Sequence, residues 1–366
     1  MTRGDDTVRC PSARAAADDP APEGGRREVR LALLAELDAC LAAGGDGALA
    51  ALHRHAVLPA GKLLRPLLVV DAALAVGGSA HPVLPAAVAV ELLHVGSLIH
   101  DDIIDGDAER RGRAAVHHRF GTDRAILGGD ALFLRPFSLV AECGRRGVPA
   151  ERVVRAGQAL AAAGEELCRG AVLELDHAGA PELSLEAYVR MAGLKTSPLF
   201  SGACRIGAVL SGADEEQAAA LGRYGHALGI AFQARDDLLP YDTCFAGAAG
   251  DNGTAAAGKP ADSDLGNRRP TLPVLLAHQL AAPADRHLVE KLLADGARGP
   301  DAHARMADVL ERTGAVDAVR SVVEEYVRRC HQALALFEPG PGVAGMAALA
   351  DRLARWTSPR AACPAR

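Results

Sequence analysis

Apolar residues recur at helical spacing along most of the chain, and Gly and Pro cut the pattern into blocks. The first block, EVRLALLAELDACLAA, runs from Glu28 to about Ala43 and stops at Gly44-Gly45, where no Cβ opposes the turn that ends a helix. A short helix follows. LPAGKLLRPLLVVDAALAVGG then reads as a loop entering an apolar helix. Pro82 and Pro85 punctuate the start of a helix over Val88–Asp105 that can begin as early as Leu84. At ~1.5 Å per residue it would run roughly 33 Å, enough to cross a domain. Long helices are also predicted over 120–143, kinked at Pro136, over 151–176, over 184–211 with an interruption near Pro198, and over 214–239. A polar loop rich in Gly, Asp and Ala covers 241–267. Shorter helices follow over 271–281, 285–295, 300–335 (broken near Gly314) and 342–355. There is no β-rich block and no repeat of fixed period. Residues 1–27 read as a disordered tail and 357–366 as a frayed end, which leaves 28–356 as one large domain.

Composition sharpens this picture. The chain has 366 residues, 49% hydrophobic but only 3% aromatic, with Ala, Leu and Val dominant. Strands favour aromatic and β-branched residues, and helices favour Ala, Leu, Glu and Arg, so the fold expected is all-α. Several long helices are apolar in the middle and polar at one end. A large helical bundle built from them has a polar mouth above a central apolar cavity. The net charge of -6 argues against a nucleic-acid partner. The 8 cysteines form no CxxC pair, which suits a reducing cytoplasm. The N-terminal stretch lacks a signal-peptide core, and no apolar run of about 18 residues escapes a charge, Pro or Gly, so no transmembrane segment is expected.

The chemistry concentrates in two acidic clusters. In ELLHVGSLIHDDIIDGDAERRG, Asp101 and Asp105 are four apart and share a helical face, with Asp102 beside them. Carboxylates this close repel unless a cation lies between them. Oxygen-only ligands suit Mg²⁺, which shares its shell with water and substrate phosphates. Arg110 and Arg111 follow, with planar forks that match phosphate oxygens. In FQARDDLLPYD, Gln233, Asp236 and Asp237 again share one face. Carboxylates at a helix C-terminus cost about 0.3–1 kcal/mol, so this pair also asks for a cation. Cations are supplied by Lys62 and Arg65 in GKLLRP, by Lys195 beside Thr196, and by Lys259, Arg268 and Arg269 in GKPADSDLGNRRPTLP; His94 lies two turns before the first cluster. Each cluster alone can be a solvated helix end. Two carboxylate groups with two cation groups suggest two diphosphates, one held through metal and one by direct ion pairs.

These motifs, in this order, resemble those of the trans-isoprenyl diphosphate synthases (polyprenyl synthetases), over roughly residues 30–340. The carriers are GKLLRP, ELLHVGSLIHDDIID with RRG behind it, FG…AILGGD, LKT, FQARDD and GKPADSDL…TLP. The resemblance implies an isoprenoid-synthase-type bundle that joins isopentenyl diphosphate head to tail (1'-4) to an allylic diphosphate, with three Mg²⁺ ions when substrate is bound. It implies that Asp101, Asp105 and Asp236 ligate metal, with Asp102 and Asp237 in close support. It places Arg110, Lys195, Thr196, Gln233 and Lys259 on the allylic diphosphate, and Lys62, Arg65, His94 and Arg111 on isopentenyl diphosphate. It also implies a homodimer.

In that family the positions four and five before the first aspartate close the cavity on the growing product. Here they are Ser97 and Gly96, both small, so an all-trans product of geranylgeranyl length or longer is expected; Phe133 and Phe137 are the next bulky candidates. The chain departs from the family pattern where Pro240 replaces a third aspartate, where Gly170-Ala171 stands for Gly-Gln, and where Asn267-Arg268-Arg269 stands for a segment with lysine. A class I terpene cyclase would need no isopentenyl site, and a non-catalytic subunit of a heteromeric synthase tends to lose its aspartates. Lys62, Arg65, Arg111 and the five aspartates speak against both.

Overall fold

A computed structural model of the chain describes residues 23–241 and 263–357. Helices account for nearly all regular structure among them. The first, α1 (Glu23–Ala43), begins ahead of the expected boundary at 28, because Arg26 is tied down: its Nη2 donates to Asp71 Oδ2 and to the Gly345 carbonyl, both at 3.0 Å. Two short elements lead inward, α2 (Ala48–Val57) and α3 (Leu64–Ala75). The centre is α4 (Leu84–Asp105), which sits between α3 and α6 (Thr122–Arg145). Most of its side chains are buried, Glu91 among them. With the turn before it, His81–Asp105 is long and apolar enough to cross a membrane, contrary to the sequence expectation. Its surface is instead covered by protein, so it serves as the core helix of the bundle.

Between α4 and α6 the chain forms a small hairpin, β1 (Glu109–Arg110) against β2 (Arg113–Ala114), and the short α5 (Val116–Phe120). Helix α6 runs through Pro136 without a break. Then come α7 (Ala150–Asp176), α8 (Leu185–Lys195), α9 (Ser197–Leu210) and α10 (Glu215–Leu238). Pro198 lies at the start of α9, where its missing N–H would have no helical partner anyway, so the interruption falls at Thr196. Asp214 and Gln217 form a reciprocal capping box that starts α10. Helices α9 and α10 pack on each other, and α3 lies so close to α9 that a Cβ on Gly207 would sit 2.0 Å from the Val69 carbonyl oxygen. The remaining helices, α11 (Ser263–Gly266), α12 (Leu272–Leu280), α13 (Pro283–Ala294), α14 (Pro300–Thr313), α15 (Ala315–Leu334) and α16 (Pro341–Thr357), complete the bundle, with α15 backing α10 and α16 backing α3.

Candidate active site

The C-terminal end of α4 forms one wall of the polar mouth. Gly106 turns left-handed there, with φ 67°, and releases the chain into the hairpin. Asp102 is 2% exposed and faces the hairpin, where it accepts from Arg110 Nε at 2.6 Å and pairs with Nη2 at 2.5 Å. Asp102 therefore orients Arg110. Asp105 pairs with Arg269, whose guanidinium also lies 3.4 Å from Glu174 and 3.7 Å from Asp264. Glu174, on α7, pairs in turn with Lys195 at the end of α8. Burial alone would lower the Lys195 ammonium, but Glu174 and then Asp101 hold it above its ordinary value. Burial would likewise raise Glu174, and Lys195 and Arg269 keep it ionised, below the usual carboxylate range.

The second wall is the last turn of α10. Asp237 is filled by hydrogen bonds: it accepts from Tyr188 Oη at 2.8 Å, Gln233 Nε2 at 2.7 Å and the Leu272 N–H at 3.0 Å. Thr196 Oγ1 donates to Gln233 Oε1 at 2.5 Å and extends this network to the end of α8. Asp236, one residue earlier, takes no part in that network. Its Oδ1 is buried and accepts no hydrogen bond. Burial pushes its carboxyl up to about 7, although Arg235 and Arg65 pull it down. An orphaned carboxylate oxygen in a dry wall fits a cation-binding role. Among the described residues no three Asp, Glu, His or Cys side chains already converge as a ligand set. A hard ion that draws the rest of its shell from water and phosphate oxygens fits that arrangement.

Beside this mouth lies a cluster of cations, Arg65 and Arg111, gathered around the buried Glu91 and coupled to Asp236. Arg65 stacks over Phe200, 4.4 Å from its centroid. Burial lowers its guanidinium to about 10, against Glu91 and Asp236, and Arg111 lowers it further. His94 is held well below its usual value by burial and then by Arg65, Arg111 and Arg110, so its ring is neutral. Arg111 adopts a left-handed backbone, φ 54°, at the hairpin turn, and its guanidinium lies over Gly61, where a Cβ would be 3.2 Å from Nη2. A cavity opens beside Arg111, walled by Leu58, Val95, Leu98 and Ile99 and lined as well by Asp102, Arg110 and Arg113.

The polyprenyl synthetase sequence profile matches residues 47–311 of the chain. The chain belongs to the polyprenyl synthetase family. It is 33% identical to the short chain isoprenyl diphosphate synthase of Methanothermobacter thermautotrophicus, over 81% of this chain and 87% of that one. Among solved structures it resembles a polyprenyl synthase from Caulobacter crescentus complexed with calcium and isoprenyl diphosphate, at TM-score 0.80 and 30% identity, covering 92% of this chain and 99% of that one. A geranylgeranyl pyrophosphate synthase from Corynebacterium glutamicum, complexed with isoprenyl diphosphate and magnesium, matches at TM-score 0.76 and 28% identity, covering 90% and 97%. Other relatives are named geranylgeranyl, geranylfarnesyl and octaprenyl diphosphate synthase. The protein is thus a prenyltransferase of the all-α isoprenoid synthase fold that elongates prenyl chains.

In this synthetase the residues singled out from the sequence fall into distinct roles. Asp101 acts on Lys195, Asp105 pairs with Arg269, Asp236 is coupled to Arg65, and Thr196 is hydrogen-bonded to Gln233. Asp102 and Asp237, expected to support metal, pair here with Arg110 and with the Tyr188–Gln233–Leu272 network. Lys259 lies outside the described residues. Pro240 sits in a 3-10 turn, Leu239–Tyr241, after α10. Gly96 does not line an open floor: a Cβ there would meet the Gly129 carbonyl and Leu132 Cβ at 3.1 Å, because α4 and α6 approach closely. Ser97 is buried, shares a helical face with His94 and Asp101, and its hydroxyl donates to the His94 carbonyl at 2.8 Å. Phe133 is half-buried and stacks on His100, whereas Phe137 is 42% exposed. Glu174 was not foreseen, because a lone Glu inside an amphipathic helix carries no signal. Arg269 keeps the positive charge expected of its segment, while the Arg268 side chain lies against Gly179.

Proposed function

We propose that this polyprenyl synthetase condenses isopentenyl diphosphate head to tail with an allylic diphosphate, uses Mg²⁺, and releases an all-trans product of geranylgeranyl length or longer. Two groups of cations support this reading, each taken as an anion site. One combines Asp101, Asp105 and Asp236 with Lys195, Arg110 and Arg269. The other would combine Lys62, Arg65, Arg111 and neutral His94. A cyclase would have no use for the second.

Asp101 and Asp105 from one wall and Asp236 from the other would hold the Mg²⁺ ions, three of them with substrate bound. Bound there, the metal supplies charge neutralisation and Lewis-acid stabilisation of the leaving diphosphate. The protein's own contribution is positional. Lys195, the Thr196–Gln233 pair, Arg110 and Arg269 hold the allylic diphosphate, together with Lys259. The allylic C–O bond breaks, the isopentenyl double bond attacks the resulting carbon, and a proton leaves to the released diphosphate. Lys62, Arg65, His94 and Arg111 orient the attacking molecule, and a neutral His94 can donate one hydrogen bond without adding a charge. The apolar walls keep water from the cation.

Small Ser97 below Asp101 supports a long product, and the names of the relatives span this range. Helix α6 presents Leu127, Leu134 and Phe137 to solvent, and α7 adds Val172 and Leu175. This exposed apolar face supports a homodimer. The cytoplasm is the compartment we assign. The test uses purified protein, Mg²⁺, isopentenyl diphosphate and each of three allylic primers, with products sized by mass. Elongated diphosphates are expected. Cyclised hydrocarbon, or no incorporation of isopentenyl diphosphate, would overturn the reading.

A further inference from the structure

Helix α1 lies outside the stretch 47–311 that carries the family profile. Two of its arginines, one turn apart, reach inward to different ends. Arg26 bonds Asp71 and the Gly345 carbonyl and so ties α1 to α3 and α16. Arg30 reaches the loop before α3: its Nη1 donates to the Lys62 carbonyl at 3.0 Å and its Nη2 to the Gly61 carbonyl at 3.1 Å. A guanidinium fork spanning two consecutive carbonyls fixes the direction of that peptide. Those carbonyls belong to the segment that carries Lys62 and enters the helix of Arg65. The same Gly61 is the platform on which the Arg111 guanidinium rests. Glu91, buried beneath, feels Arg65, Arg111 and Arg30 in that order, which places Arg30 in the same charge cluster.

We propose that Arg30 is a positioning residue for the isopentenyl diphosphate pocket: by holding the Gly61 and Lys62 carbonyls it sets the loop that aims Lys62 and supports Arg111. This rests on the assignment of that pocket above. Arg30 does not touch the reacting atoms; it acts through the loop.

The experiment is calorimetric titration of the full chain with isopentenyl diphosphate alone, which does not turn over without an allylic partner. Wild type, Arg30→Met, Arg30→Lys and Arg26→Met are compared, each with a thermal midpoint. Arg30→Met should weaken binding roughly tenfold or more, as loss of charge-assisted hydrogen bonds would. Arg30→Lys keeps the charge but cannot span both carbonyls, and should recover only part of the loss. Arg26→Met should lower the thermal midpoint while leaving the dissociation constant within about twofold of wild type. In steady state, Arg30→Met should raise KM for isopentenyl diphosphate and leave KM for the allylic substrate unchanged. Unaltered binding by Arg30→Met, complete recovery with lysine, or an equal loss in Arg26→Met would overturn the inference. Failure of the wild type to bind isopentenyl diphosphate would instead overturn the pocket's assignment.

Discussion

Gly170 on α7 touches no substrate group, yet a methyl there should cripple the enzyme. A Cβ built on Gly170 would lie 2.2 Å from the Lys195 nitrogen, 2.4 Å from the Leu194 carbonyl carbon and 2.5 Å from Lys195 Cα. All three are backbone atoms, so no rotamer can yield. To restore ordinary contact, the end of α8 must withdraw by about 1 Å, within a core as tightly packed as a crystal. That end carries Lys195 and Thr196, and the withdrawal would strain the Lys195–Glu174 pair and the Thr196–Gln233 hydrogen bond. A 1 Å misplacement of binding groups costs on the order of 10²-fold in rate. The effect on stability is smaller, because overpacking costs ~1–3 kcal/mol while alanine gains ~1 kcal/mol over glycine inside a helix. Gly170→Ala should therefore lose activity far out of proportion to stability. The measurement is kcat and KM for the allylic diphosphate alongside denaturant unfolding. The control is Gly157→Ala on the same helix, where a Cβ meets nothing within 4 Å; it should gain stability and keep wild-type kinetics. If Gly170→Ala showed wild-type kcat and KM, the argument that α7 sets the placement of Lys195 would fail.

Three other outcomes are expected. Ser97→Phe should shorten the product while Gly96→Phe, driven against the Gly129 carbonyl, should chiefly destabilise the fold; mass spectrometry and thermal melts separate them, and identical behaviour of the two would contradict the packing described. Asp105→Ala and Asp236→Ala should each abolish detectable turnover, whereas Asp237→Asn should lower stability by about 1–3 kcal/mol by upsetting a filled network; normal turnover in the first two would refute the metal role. Asp71 is pushed up to about 6 by burial, only partly countered by Arg26. The folded state therefore holds a proton that the unfolded chain has released, so stability falls as pH rises from about 4 to 6, by roughly 3 kcal/mol in total; an Asp71→Asn variant with the same slope in that window would disprove it.

The helices were legible because apolar spacing, proline starts and glycine stops all agree along the chain, as in Leu84–Asp105. The hairpin was not, since two-residue strands in a charged turn leave no alternation to read. Within the site, residue type could be read but direction could not. Asp236 and Asp237 are chemically identical neighbours, and only the rotation of α10 leaves an oxygen of one without a hydrogen bond and commits the other to Tyr188. The same holds for Asp101 and Asp102, and for Gly96 and Ser97. Glu174 and Arg30 lay beyond sequence reasoning for another reason: each owes its role to partners from distant segments.

Helix α4 also bears on how the chain is made. A segment as apolar as His81–Asp105 emerges before α6, its most extensive partner, and well before α9. For that interval it carries the composition by which membrane spans are selected. Glu91 stands near its middle, where an ionised carboxylate would cost an inserting helix a few kcal/mol, and three aspartates burden one end. The carboxylates along this helix thus also mark the nascent segment as one to be packed against protein rather than delivered to lipid.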